Sequence, residues 1–446
     1  MKKTRKLILQ VLIASLMLTF IPSSLIFAAA DALKLVIQPE KVYESVYDFY
    51  DGMSRVSYGN KYGFVDITGK EVIAPQYEGA GIFSEGLAPV KLNGKFGYIN
   101  KLGKKVVDYK YDEAFEFSKG FASVALSGKW GVVDKTGKEI VKPKYDWAVT
   151  FYGDTASVVY KGKLGIINKT GKEIIAPKYD YISSVNEGLA VFSKAGKYGV
   201  VNSSGKELVA AKYDYISNFE GGVAVISKAG KYGLLNKSGK EIVALQYDLI
   251  SGFFEGLAAA SKKDKFGYID KTGKVIIALN YSSAGSFIDG SAVVESGNKY
   301  FLINNKGKAM NNIKYDSLYS TGSGFRIASL NGKSILLNSK NIEIKTSDYE
   351  NVFPISKELI SITNKDGKHG ILDKSGKIVV EPKYDRVAII NENTLMASVE
   401  DSYTIIDKTG NELGKFECDY ILGSPYFVDA FWVVKGEDKI LINVKH

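Results

Sequence analysis

The chain has 446 residues, with 59 Lys and Arg against 49 Asp and Glu, a formal net charge of +10, one cysteine and two histidines. One cysteine excludes a disulfide framework, and two histidines leave no His/Cys cluster for zinc. The positive excess is spread and nearly all lysine. Arg55, Arg326 and Arg386 are the only arginines after residue 30, so the clustered basic groove of a nucleic-acid binder is not expected.

In chain order, Lys2, Lys3, Arg5 and Lys6 precede an apolar run from Leu7 to Phe27 and then Ala28-Ala29-Ala30. This pattern predicts a secretory signal peptide over residues 1–30, cleaved after Ala30, with an uncleaved anchor helix as the alternative. No later apolar run reaches the ~18–20 residues of a spanning helix. The remainder, 31–446, contains no Pro- or Ser-rich linker and reads as one repeat domain.

From Tyr43 onward the sequence repeats every 34 residues. A tyrosine, usually followed by an acid, recurs from Tyr43 through Tyr179 and Tyr213 to Tyr384 and lapses at Cys418. A bulky residue precedes glycine at Tyr62-Gly63, Trp130-Gly131, Tyr198-Gly199 and their equivalents. A turn of the form N/D-x-S/T-G-K recurs with its glycine at Gly69, Gly137, Gly205, Gly376 and others. Full units occupy 43–417, eleven of them, and a partial unit runs from 418 to 446. Glycine and β-branched residues at this density disfavour helices, and apolar runs of four to six residues predict strands.

Within one unit, Leu189–Ser193, Tyr198–Asn202 and Glu207–Ala210 predict three strands. Asn or Asp opens the second turn and a glycine supplies its positive φ. These Asp residues alternate freely with Asn, so they are turn formers and not acid–base catalysts. The ring before each glycine is expected to face the core and to stack on its equivalents in neighbouring units; the glycine admits a close backbone. One unit cannot bury its own apolar surface, so units must stack on one another. The expected fold is therefore all-β: tandem 34-residue three-stranded units in an open superhelical, solenoid-like array. The alternative is one or two β-propeller-like rings, for which two rings of six suit the count better than one of twelve.

Residues 129–146, reading KWGVVDKTGKEIVKPKYD, match position by position the signature K-W/Y-G-φ-φ-D/N-x-x-G-K-E-I-I-x-P-x-Y-D, where φ is apolar. The chain resembles the WG (Trp-Gly, or KWG) repeat family over essentially all of its length after the leader. The resemblance implies a bacterial β-repeat protein, often secreted or envelope-associated, with no enzymatic activity tied to the repeat and no catalytic residues to carry over. Around Tyr300-Phe301, Ser334-Ile335 and Tyr403-Thr404 the glycine is gone, and Asn341 replaces a turn glycine. Units between Tyr281 and Tyr349 are thus eroded, either as a capping or interaction region or by simple drift, the favoured account.

No G-x-S-x-G elbow, phosphate-binding glycine loop or calcium loop occurs, and Cys418 lacks a histidine base. His369 takes the place of a core ring. No catalytic residue, metal or cofactor is expected. The residue after Tyr-Asp varies most, and on it Trp147, Tyr181, Tyr215, Arg386 and Tyr420 are the candidate binding residues. Exposed, they suit a sugar chain or a protein loop; the blander alternative is a partly buried edge contact. The expected function is an exported, non-catalytic scaffold in the cell envelope, binding a wall polymer or extracellular protein. A carbohydrate-active ring enzyme and a self-associating matrix protein are the alternatives.

Overall fold

The computed structural model describes residues 36–37, 41–321, 324–391, 393–422 and 430–444. The leader expected over 1–30 lies outside them, as does His446. All described regular structure is strand, arranged in twelve small antiparallel sheets. In a representative sheet the strands are Tyr181–Ile182, Leu189–Lys194, Lys197–Asn202 and Glu207–Tyr213, hydrogen-bonded in chain order.

The three expected strands are all present, and a fourth precedes them. The extra strand is only two residues long, pairing Tyr181 with Ser193 and Ile182 with Phe192. Two residues are too few to carry the alternation by which a strand is recognised. Eleven sheets have four strands, and the sheet starting at Ser283 has three. We number these blades 1 to 12 in chain order, blade 1 spanning 45–77 and blade 5 spanning 181–213.

Each turn follows from local chemistry. Between the second and third strands Ala195 and Gly196 take φ of 47° and 74°, the two-residue hairpin geometry. Between the third and fourth, Asn202 Oδ1 accepts from the backbone N–H groups of Ser204 and Lys206 at 3.1 and 2.9 Å. Asp134 does the same for Thr136 and Lys138, so amide and carboxylate are equivalent there.

The apolar core is divided among the junctions. Leu189, Val191, Val200, Val209 and Tyr213 of blade 5 form one cluster with Ile216, Phe219, Ala224, Ile226 and Leu235 of blade 6. Every other cluster likewise joins two consecutive blades, and one joins Tyr43, Phe49, Val56 and Val65 of the start to Ala430, Trp432 and Leu441 of blade 12. Blade 12 itself takes its outer strand from the other end of the chain: Val36 pairs with Ile442 and Ile37 with Leu441. Trp432 Nε1 donates to Ser54 Oγ at 3.1 Å across the seam, and Lys439 Nζ donates to the Tyr43 carbonyl at 2.6 Å.

The open array expected first is therefore corrected to the alternative, a single propeller-like ring of twelve blades. Closure rests on pairing between residues some 400 positions apart, for which no local sequence signal exists. The expected ring ladder also changes. Trp130, Tyr198 and His369 are half-buried, while the tyrosines of Tyr-Asp fill the core. Trp130 stacks on Phe115 of its own blade at 5.0 Å, and His369 Nδ1 lies 3.3 Å from Thr363 Oγ1.

Candidate functional site

The Tyr-Asp step ties each blade to the next and sets where the variable residue points. Tyr145 and Tyr179 donate to Glu173 and Glu207 of the following blade at 3.1 and 2.9 Å. Burial pushes the Tyr145 phenol up to about 12, and the Lys144 hydrogen bond holds Glu173 below the usual carboxylate range. The acid of the pair caps a hairpin. Asp180 and Asp214 accept from Lys163 and Lys197, each at 2.6 Å, and from the backbone N–H groups of Ala195 and Ala229 at 2.8 and 2.7 Å. The lysine bond, followed by the backbone bond, lowers the Asp180 pKa. These carboxylates are occupied in holding turns.

The next residue is thereby presented outward. Tyr181 and Tyr215 stand in the first strands of blades 5 and 6, opposite the small, buried Ser193 and Ser227, and the Tyr181 ring packs edge-on against Tyr198 at 6.2 Å. They are 45% and 48% exposed, and Tyr420 of blade 12 is 54% exposed. Arg386 of blade 11 is exposed opposite Ser398. Trp147, 69% exposed, departs from the set. Val149 exchanges two hydrogen bonds with Ser123 of blade 3, at 2.6 and 2.7 Å, which draws the segment off the ladder and leaves Trp147 outside any strand. The ring brings Tyr181 and Tyr215 to equivalent places on adjacent blades. It puts Arg386 and Tyr420 on the opposite side, six blades away.

A second aromatic register escaped the sequence reading. Two residues beyond the variable position stand Phe115, Tyr319 and Phe353, 48%, 55% and 63% exposed. Residues i and i+2 share a face of a strand. Where the first position is Glu113, Ser317 or Asn351, the second carries the ring; where the first is Tyr181 or Tyr215, the second is Ser183 or Ser217. Blades 5, 6, 9, 10 and 12 thus each present one outward aromatic on the face of the first strand, and in blade 3 Phe115 stands just past that strand, stacked on Trp130. Counting by two from the variable residue, not by 34 alone, reveals it.

A family model described as "WG containing repeat" matches residues 34–62, 62–96, 96–130, 130–163, 165–198, 198–232, 232–266, 266–300 and 370–401. The chain belongs to the WG repeat family. No curated protein matches it. Among solved structures, a eukaryotic initiation factor is 14% identical over 65% of this chain and 93% of that one, with a TM-score of 0.34. The extracellular domain of a putative hybrid two-component system of B. thetaiotaomicron is 10% identical over 89% and 68%, TM-score 0.21. PorZ of Porphyromonas gingivalis, a bacterial surface component of the type-IX secretion system, is 8% identical over 90% and 74%, TM-score 0.21. Scores this low do not mark a common fold. Among the described residues no group of three or more His, Cys, Asp or Glu could hold a metal, and no helix is long and apolar enough to cross a membrane.

The stretch between 300 and 370, which the WG model leaves unmatched, is where blades change shape. In a regular WG blade the fourth strand bulges over the glycine: Leu164 pairs with Tyr179, but Ile166 with Ile175. A Cβ on Gly165 would stand 2.6 Å from both the Ile175 carbonyl oxygen and the Pro177 nitrogen. Where the glycine is replaced, the pairing of the fourth strand changes. At Phe301 the fourth strand reduces to isolated bridges, Tyr300 with Tyr315 and Ile303 with Ala309, which keep the offset of the regular bulge. At Thr404 the strands pair residue for residue from Ser402 to Ile405, and one shift remains between Ile405 and Ile406. At Ile335 the fourth strand shrinks to Glu343–Ile344, with Leu336 opposite Ile344.

The same stretch holds the ring's one buried arginine among the described residues. Arg326 stands where other blades have Ala190 or Ala224, and is 2% exposed. It donates to Asn341 Oδ1 at 2.5 Å, and across the junction to the Ile288 carbonyl and Ser291 Oγ at 3.0 and 2.9 Å. Ser291 and Asn341 replace a leucine and a turn glycine, so three departures from the WG pattern meet in one polar contact.

Proposed function

We propose that this protein is an exported, non-catalytic WG-repeat scaffold that docks a cell-envelope polymer or an extracellular protein on the outward aromatics of its first strands. The observation that carries the reading is the equivalent placement of Tyr181 and Tyr215 on adjacent blades, each nearly half exposed. Aromatic faces at a regular spacing suit an extended repetitive ligand, since each blade offers the same contact. The basic, apolar leader over 1–30 supports export. The acids of the repeat are taken up by caps and inter-blade bonds, which supports binding over catalysis.

The test is retention on isolated cell walls. The triple variant Trp147→Ala, Tyr181→Ala, Tyr215→Ala is expected to lose at least about fivefold in retention, as removal of two or more stacking contacts of ~0.5–1.5 kcal/mol each implies. Its circular dichroism is expected to be unchanged. Undiminished retention would remove the proposed surface.

A further inference from the structure

The departures at blade 9 do more than shorten a strand. Ser334 stands where regular blades have a bulky ring, Ile335 where they have glycine, and Lys345 where they bury Val209 or Val243. The small side chain leaves space, the added Cβ blocks the bulge, and Ile344 takes the apolar site of the fourth strand in place of the lysine. The strand ends early, and a cavity of about 450 Å³ opens between blades 9 and 10. That is within the size range of small-molecule sites, about 300–1,000 Å³. Tyr349 is altered as well. Its equivalents Tyr145 and Tyr179 donate to a glutamate of the next blade; here that place is taken by Ile378, and the Tyr349 hydroxyl has no hydrogen-bond partner among the described residues.

The lining has a definite chemistry. Ile335 and Val352 give an apolar wall beside the Tyr349 ring. Ser334 and Thr346 contribute hydroxyls that can donate or accept, and Ser347, whose hydroxyl donates to Asp348 Oδ1 at 3.3 Å, contributes an acceptor. Lys333 and Glu350 bring one charge of each sign, so the site has no net preference for an anion or a cation. A ligand that matches has an apolar face, a rim of hydroxyls and no net charge. We propose that the cavity between blades 9 and 10 is a binding pocket for one pyranose ring of a neutral glycan. This site is separate from the aromatic surface on the first strands, and it converts the eroded part of the repeat from drift into a specialised blade.

The experiment is saturation-transfer NMR on the full chain with methyl glucoside, methyl galactoside and methyl N-acetylglucosaminide, with alanine as a zwitterionic comparison. At least one glycoside is expected to show transfer to its ring protons with millimolar affinity, about 1–10 mM. Ser334→Tyr restores the ring of a regular blade and fills the space, and should abolish transfer. The pair Thr346→Ala, Ser347→Ala keeps the space, removes two hydroxyls, and should weaken binding at least tenfold. Tyr181→Ala with Tyr215→Ala should leave it unchanged, which separates this pocket from the first-strand surface. Absence of transfer to all three glycosides, undiminished transfer in both pocket variants, or saturation of alanine in place of the sugars would each overturn the proposal.

Discussion

Gly165 and its equivalents lie beneath a bulge whose backbone passes where a Cβ would stand. The neighbouring atoms are a carbonyl oxygen and a proline nitrogen, neither of which can rotate away. Gly165→Ala is therefore expected to destabilise the chain by about 1–3 kcal/mol, the usual cost of overpacking a tight site. It should be read as a lower urea midpoint, with blade 4 losing amide protection first. An unchanged midpoint would mean the bulge can relax. Chance has already placed side chains at this position: at Thr404 the ladder runs straight through it, and at Ile335 the fourth strand is cut to two residues. The sequence pointed to the close approach at this glycine. It did not reveal that the ring beside it stays half in solvent, because the core place is taken by the Tyr-Asp tyrosine 15 residues on, as with Trp130 and Tyr145.

At the scale of the blade, stability depends on pH through two sets of groups at the junctions. Glu139, Glu173, Glu207 and Glu412 are held below their ordinary values, chiefly by hydrogen bonds from Lys110, Lys144, Lys194 and Lys415. A lowered carboxylate contributes stability that is complete above its unfolded value, about 4.3, and is lost as pH falls through the folded value. The phenols run the other way. Burial raises Tyr111 and Tyr145 to about 12. Their contribution is complete below the unfolded value of about 10 and is lost as pH rises from there through about 12. Urea midpoints should accordingly be flat from about pH 5 to 9 and fall on both sides. The alkaline fall should coincide with tyrosinate absorbance; a midpoint that held steady to pH 12 would contradict it. Most of the blade was legible from its period, because turns and strands are local. The first strand was not, because two residues carry no period. The aromatic positions Phe115, Tyr319 and Phe353 were missed for the same reason: their shared face with the variable residue exists only once that strand is recognised.

For the whole molecule the decisive contact is the seam between blades 12 and 1. Trp432 is 1% exposed, stacks on Phe49 at 6.1 Å and donates to Ser54. Trp432→Ala removes about 3–5 kcal/mol from that single junction. The other junctions keep their own cores, so the expected outcome is an opened ring with intact blades. Small-angle scattering should show a larger radius of gyration while the strand signal in circular dichroism persists. A variant as compact as the parent would show that the pairing of Val36–Ile37 with the last strand suffices to keep the circle shut.

That pairing also orders events in time. A chain made or threaded from its N-terminus releases Val36–Ile37 some 400 residues before their partners Leu441–Ile442. Eleven blades can condense one upon another while the earliest strand waits with bare backbone groups, and blade 12 is finished only when the tail arrives to latch it. That closing step spans the greatest separation among the paired strands, and long-range pairing is intrinsically slow. Until then the growing spiral has an adhesive edge at each extremity, where a second spiral could substitute for the missing neighbour.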